Sequence, residues 1–150
     1  MIMKESTYNR LRKYVCNTDF QYETGGILLG YRLLWRFYVV DFTFPRCLKN
    51  KRRMTFILNG EEHMKEMERI KNKYFVRPRL IGVWHSHTTE DSSLSMQDRG
   101  ANKLLVRKFG GLLSVIVTQQ GMKGIQLTSY YISRKGEMHL CKKNKCKNKL

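Results

Sequence analysis

The sequence predicts an α+β domain, a sheet flanked by helices. Three observations carry that expectation. Short apolar runs alternate with stretches of helical period, in the order helix, strands, helix, strand, helix, strands. Glycine and proline stand at the joints between these stretches. The 150 residues, 41% of them hydrophobic, suffice for one core and one domain.

Ser6 is a plausible N-cap for a helix to about Tyr14, with Leu11 and Val15 on one face. Gly26 to Tyr31 reads as a buried strand, entered through the Gly25-Gly26 pair. Leu34 to Phe44, rich in aromatic and β-branched residues, reads as its hairpin partner, and Pro45 ends it. Arg46 to Arg53 is a basic loop, and Thr55 to Leu58 a short strand. Asn59 caps the next helix, with Glu61 and Glu62 in its first turn. Met64, Met67, Ile70 and Tyr74 recur at helical spacing and are expected in the core. Leu80 to Trp84 is a central strand after Pro78. Ser95 opens a helix to about Lys108 that is expected to bury Ala101, Leu104 and Leu105, and Gly110-Gly111 breaks it. Leu112 to Thr118 and Gly124 to Ser133 form a closing strand pair around Gly121.

Residues 1–133 therefore form the domain. Residues 134–150 hold seven Lys and Arg against one acid, Glu137, and read as a solvated, mobile basic tail. No run reaches the roughly 18 apolar residues of a membrane helix, so no membrane partner is expected. The first six residues hold no apolar signal region, and a cytoplasmic location is expected. Cys16, Cys47, Cys141 and Cys146 make no C-x-x-C pair and read as free thiols. The irregular His139-x-Cys141-x4-Cys146 spacing is a poor metal site.

The chemistry concentrates in His85-Ser86-His87 followed by Ser95 and Asp98, the pattern H-x-H-x7-S-x2-D. In a strand, residues i and i+2 point to one side, so His85 and His87 can grip one ion. In a helix, i and i+3 share a face, so Ser95 and Asp98 can approach it together. Two imidazoles and a carboxylate are what a catalytic zinc needs if a fourth position stays open. Taken singly, the histidine pair reads as surface decoration and Ser95 to Asp98 as a helix start. Their conjunction after an apolar strand favours function.

Upstream, Glu23-Thr24-Gly25-Gly26-Ile27-Leu28-Leu29-Gly30 has the form E-x-x-G-x-L-x-G. Together the two motifs resemble the JAMM signature of the MPN+ (JAB-domain) zinc metalloproteases. The resemblance spans roughly residues 20 to 132. It implies an MPN/JAB-like, cytidine-deaminase-like fold and one Zn2+ per chain on His85, His87 and Asp98. Glu23 would be the general base, and Ser95 would support the tetrahedral intermediate. Leu94 departs from the family, in which proline commonly precedes the serine. The implied reaction is hydrolysis of the peptide or isopeptide bond after the C-terminal glycine of a ubiquitin-like protein. Small bacterial members of similar length accompany activating and conjugating enzymes, some in antiphage defence operons.

The net charge of +17 favours acidic partners and speeds their encounter. It supports a second expectation, a nucleic-acid-associated protein resembling the DNA-repair-associated branch of the same family. No helix-turn-helix or stacking motif accompanies it. A third expectation is an inactive MPN scaffold, although such members lose ligands and this chain keeps them all.

Overall fold

The computed structural model describes residues 1–18, 22–45, 60–121 and 124–145. The elements run β1 (Ile2–Met3), α1 (Glu5–Asn17), β2 (Gly25–Leu33), β3 (Arg36–Phe42), α2 (Gly60–Lys71), β4 (Arg79–Ser86), α3 (Met96–Phe109), β5 (Leu112–Gln120), β6 (Gly124–Ile132) and β7 (Met138–Lys145). Among the described residues, the seven strands join one sheet, ordered β1-β3-β2-β4-β5-β6-β7. The fold is α+β, as expected.

The pair β4–β5 is parallel and bridged by α3, while β2 lies antiparallel on the other side of β4. That arrangement puts β4 at the centre and its C-terminal end beside the start of α3. The register between β2 and β4 slips between Leu28 and Leu29, leaving Ile81 as an extra residue on β4. The two glycines of the upstream motif have a packing reason. A Cβ at Gly26 would sit 2.0 Å from the Thr43 carbonyl oxygen, and one at Gly30 would sit 1.9 Å from that of Tyr38. Only glycine lets β3 and the residues after it run this close to β2.

The larger core lies between the sheet and α1. Leu11 and Val15 pack there with Leu28, Trp84, Leu113 and Val115, all at most 2% exposed. The other face holds two smaller clusters: Ile27 and Leu29 with Met67 and Ile70 of α2, and Leu112 and Ile132 with Val106 of α3.

Several expectations are corrected. The first helix starts at Glu5, with Lys4 at the N-cap and no side-chain cap, so Ser6 sits inside the first turn. The pairing of Lys4 N–H with the Val39 carbonyl sets the chain's entry in place of a capping hydroxyl. Of the methionine stripe, Met67 and Ile70 are buried, but Met64 is exposed. On α3, Ala101 and Leu104 are exposed and Leu105 half-buried, while Asn102 and Val106 face the sheet. The segment expected to be a mobile tail contains β7, which pairs antiparallel with β6. The basic loop 46–53, the strand 55–58 and the Asn59 cap lie outside the described residues.

The β2–β3 hairpin turns on Leu34 and Trp35, and Leu34 sits in the left-handed region at φ 52°. Glycine or asparagine takes that conformation readily; for leucine it costs about 1–2 kcal/mol.

Candidate metal centre

His85 is the next-to-last residue of β4, in its buried C-terminal part, and His87 lies just past the strand's last residue, Ser86. The His87 N–H bonds to the Val117 carbonyl, which continues the β4–β5 ladder through the second histidine. Extended geometry through His87 keeps both rings on one side of the strand. Their Nε2 atoms face each other at 3.0 Å.

The third donor arrives on α3. Ser95 is its N-cap and forms a capping box with Asp98. The Ser95 hydroxyl donates to Asp98 Oδ2 (2.6 Å), and the Ser95 N–H bonds to the same oxygen (2.8 Å). Asp98 N–H donates back to Ser95 Oγ (3.1 Å). These bonds aim the carboxylate at the histidines, with Oδ1 at 3.2 Å from His85 Nε2 and Oδ2 at 3.6 Å from His87 Nε2. His85, His87 and Asp98 thus offer donors within 4.8 Å of one another.

The electrostatics suit a cation. Burial alone would raise the Asp98 carboxyl pKa. Hydrogen bonds from His85 and His87, the charge of His85 and the bond from Ser95 outweigh it and hold the group well below the usual carboxylate range. Burial alone would lower His87, but the bond to Asp98, the Asp91 carbonyl and the charges of Asp98 and Glu23 push it up overall. The Asp91 carbonyl accepts from His87 Nδ1 at 2.7 Å. With the Nδ1 proton committed there, it is Nε2 that must give up its proton to offer a lone pair to an ion.

Glu23 precedes β2, in line with the same site. Gly25 pairs with His85, and the ladder continues through the 2.7 Å bond from Ser86 N–H to the Thr24 carbonyl. Ser86 Oγ accepts from Thr24 N–H at 3.0 Å and holds the two strands together. Glu23 lies two residues before Gly25, on the same approach to the site. The charge of Glu23 on His87 agrees with that placement.

The sequence did not reveal what braces the loop between the histidines and α3. Tyr130 of β6 donates to the Ser92 carbonyl (2.9 Å), Arg99 Nε to the Leu94 carbonyl (3.1 Å), and Asp91 accepts from Ser93 (2.8 Å). Leu94 is buried under this loop. Hollows flank the donors on both sides. One of about 110 Å³, with Val83, Ala101 and Leu105 among its walls, opens between β4 and α3. The other, about 260 Å³, is lined by His87, Thr88, Thr89, Glu90 and Gln119. Cys16 is half-buried, burial pushes its thiol pKa up, and it packs on the opposite face among the α1 core.

The fold is similar to two solved structures. One is a solution structure of a protein from Desulfitobacterium hafniense (TM-score 0.70, 15% identity, 95% of this chain and 90% of that one covered). The other is a solution structure of a protein from Salinibacter ruber (TM-score 0.62, 16% identity, 99% and 94% covered). At such identities the likeness establishes the shared fold alone. No family model matches the chain, and no curated protein matches it by sequence.

Proposed function

We propose that this chain is a JAMM-type zinc metallopeptidase of MPN/JAB-like fold, hydrolysing the bond after the C-terminal glycine of a ubiquitin-like protein. One observation carries the reading. Residues that the two distant motifs single out come together at the C-terminal end of β4: His85, His87 and Asp98 as donors, with Glu23 near enough for its charge to act on His87. The donor set fits zinc. Two imidazole nitrogens and a carboxylate oxygen are donors zinc takes, and one atom from each of the three residues lies within 4.8 Å of the others.

When bound, zinc supplies Lewis acidity and brings the pKa of a coordinated water to about 7. The protein does the rest. Glu23 takes the proton of the attacking water and returns it to the leaving amine as the C–N bond breaks. The Asp91 carbonyl holds His87 in its donor tautomer, and Ser95 aims Asp98. The Ser95 hydroxyl has one proton, committed here to Asp98. Support of a developing oxyanion requires that proton to turn toward the substrate. The conjugate, with activating or conjugating enzymes, forms the proposed set of partners, and antiphage defence is one setting for such a set.

The test is metal analysis joined to a hydrolysis assay on ubiquitin-like tails. One zinc per chain is expected, with loss of zinc in the His85→Ala, His87→Ala double variant. Full zinc retention by that variant refutes the site. The +17 charge favours a second reading, association with nucleic acid. Salt-dependent binding to random DNA, with a slope set by the phosphates neutralised, tests it.

A further inference from the structure

At the end of the sheet remote from the metal centre, two loops project apolar side chains straight into solvent. The β2–β3 turn exposes Leu33 (60%), Leu34 (86%) and Trp35 (90%), and the loop after α2 exposes Phe75 (106%) and Val76 (62%). Tyr31 of β2 donates to the Val76 carbonyl, so the loops are tied side by side. These side chains protrude, with Trp35 and Phe75 the most exposed. Exposed cations surround them: Arg32 and Arg36 on the hairpin, Lys73 and Arg79 around the second loop, and Arg77, which pairs with Glu68 at 3.3 Å. No acid stands between residues 31 and 36 or between 71 and 79.

The backbone adds an independent sign. A two-residue hairpin turn favours asparagine or glycine at the position Leu34 occupies, and Leu34 holds a left-handed φ. A large apolar residue thus occupies a strained position at which it is 86% exposed. Strain of this kind points to a use outside the fold.

We infer that this end of the molecule docks on an anionic lipid surface, with Leu34, Trp35 and Phe75 entering the headgroup–acyl boundary. Tryptophan and aliphatic tips prefer that boundary, and cations beside them are drawn to acidic headgroups. Protruding tips suit a fluid medium, which closes around them. Docked this way, the eight residues of β4 hold the metal centre roughly 25 Å from the lipid. The inference does not depend on the peptidase reading.

The two tryptophans make the test clean. Trp35 is 90% exposed and Trp84 fully buried, so only Trp35 can respond to lipid. The full chain is mixed with vesicles of equal parts phosphatidylglycerol and phosphatidylcholine carrying brominated chains. Quenching of Trp35 is expected, together with a fall in vesicle affinity of about tenfold or more for Trp35→Ser with Phe75→Ser, which removes two tips and no charge. Leu34→Gly separates docking from structure: it should weaken binding several-fold while raising thermal stability, because it relieves the turn. Adsorption that leaves Trp35 unquenched, or that the double variant matches, overturns the proposal.

Discussion

The two faces of the sheet are built differently, and the difference separates stability from chemistry. The face under α1 is one continuous apolar cluster, from Leu11 to Leu127. The face under α2 and α3 is broken into two small clusters. Between them lie buried polar residues (His85, Asn102, Ser114) and an open hollow. A helix that buries Asn102 against Ser114 (3.2 Å) while exposing Leu104 has not been arranged for packing alone. The α1 face holds the larger apolar cluster, and the α3 face leaves a hollow beside His85 and Asp98.

The sharpest way to break this comparison is a pair of substitutions, one on each side. Glu23→Gln should lower hydrolysis by about 10²–10⁴-fold, with zinc content and thermal stability unchanged. Leu113→Ala, in the α1 core, should cost about 2–5 kcal/mol of stability while the folded fraction keeps its specific activity. Denaturant melts and initial rates on both proteins decide it. If Glu23→Gln retains wild-type turnover on a cleavable conjugate, the chemistry is not where it is assigned here.

A smaller effect is expected at the basic end of the chain. A protein ending at residue 133 lacks β7, which pairs with β6 from Gln126 to Ile132 and brings Met138 onto the Val106–Ile132 cluster. It should lose about 2 kcal/mol or more, the low end for removing a packed methionine. It should also aggregate more readily, because β6 becomes an open edge. A truncated chain as stable and as soluble as the full one would show that β7 contributes nothing to the domain.

That strand also marks the boundary of what the sequence reveals. The hairpin, the central strand and all three helices carried a period or a punctuating residue, and the ion donors carried a spacing with a mechanical reason. The strand β7 carried neither. Its lysines are what an edge strand uses to discourage further pairing, and they are also what a disordered tail looks like in composition. The orientation of α3 was illegible for a related reason. Its leucines gave the helical period, but which stripe meets the sheet was decided by the Ser95–Asp98 box, which turns Asp98 toward His85 and swings Leu104 outward. The braces from Tyr130, Arg99 and the Asp91 carbonyl are contacts across the chain, which no local pattern encodes.

The orientation of α3 can be measured directly, and it gives the smallest expected effect. Val106 is 3% exposed and packs on Leu112 and Ile132, while Leu104, two residues earlier, is 66% exposed. Helical period alone ranks the leucine as the better core residue. The geometry around Asp98 ranks it the other way. Val106→Ala should cost about 1–3 kcal/mol, a buried side chain shortened where the neighbours cannot fully close. Leu104→Ser should stay within about 0.5 kcal/mol of wild type, as surface changes do. Chemical denaturation of the two variants suffices. Should Leu104→Ser prove the more damaging, α3 is rotated from the orientation described, Asp98 no longer faces the histidines, and the contrast between the two faces fails with it.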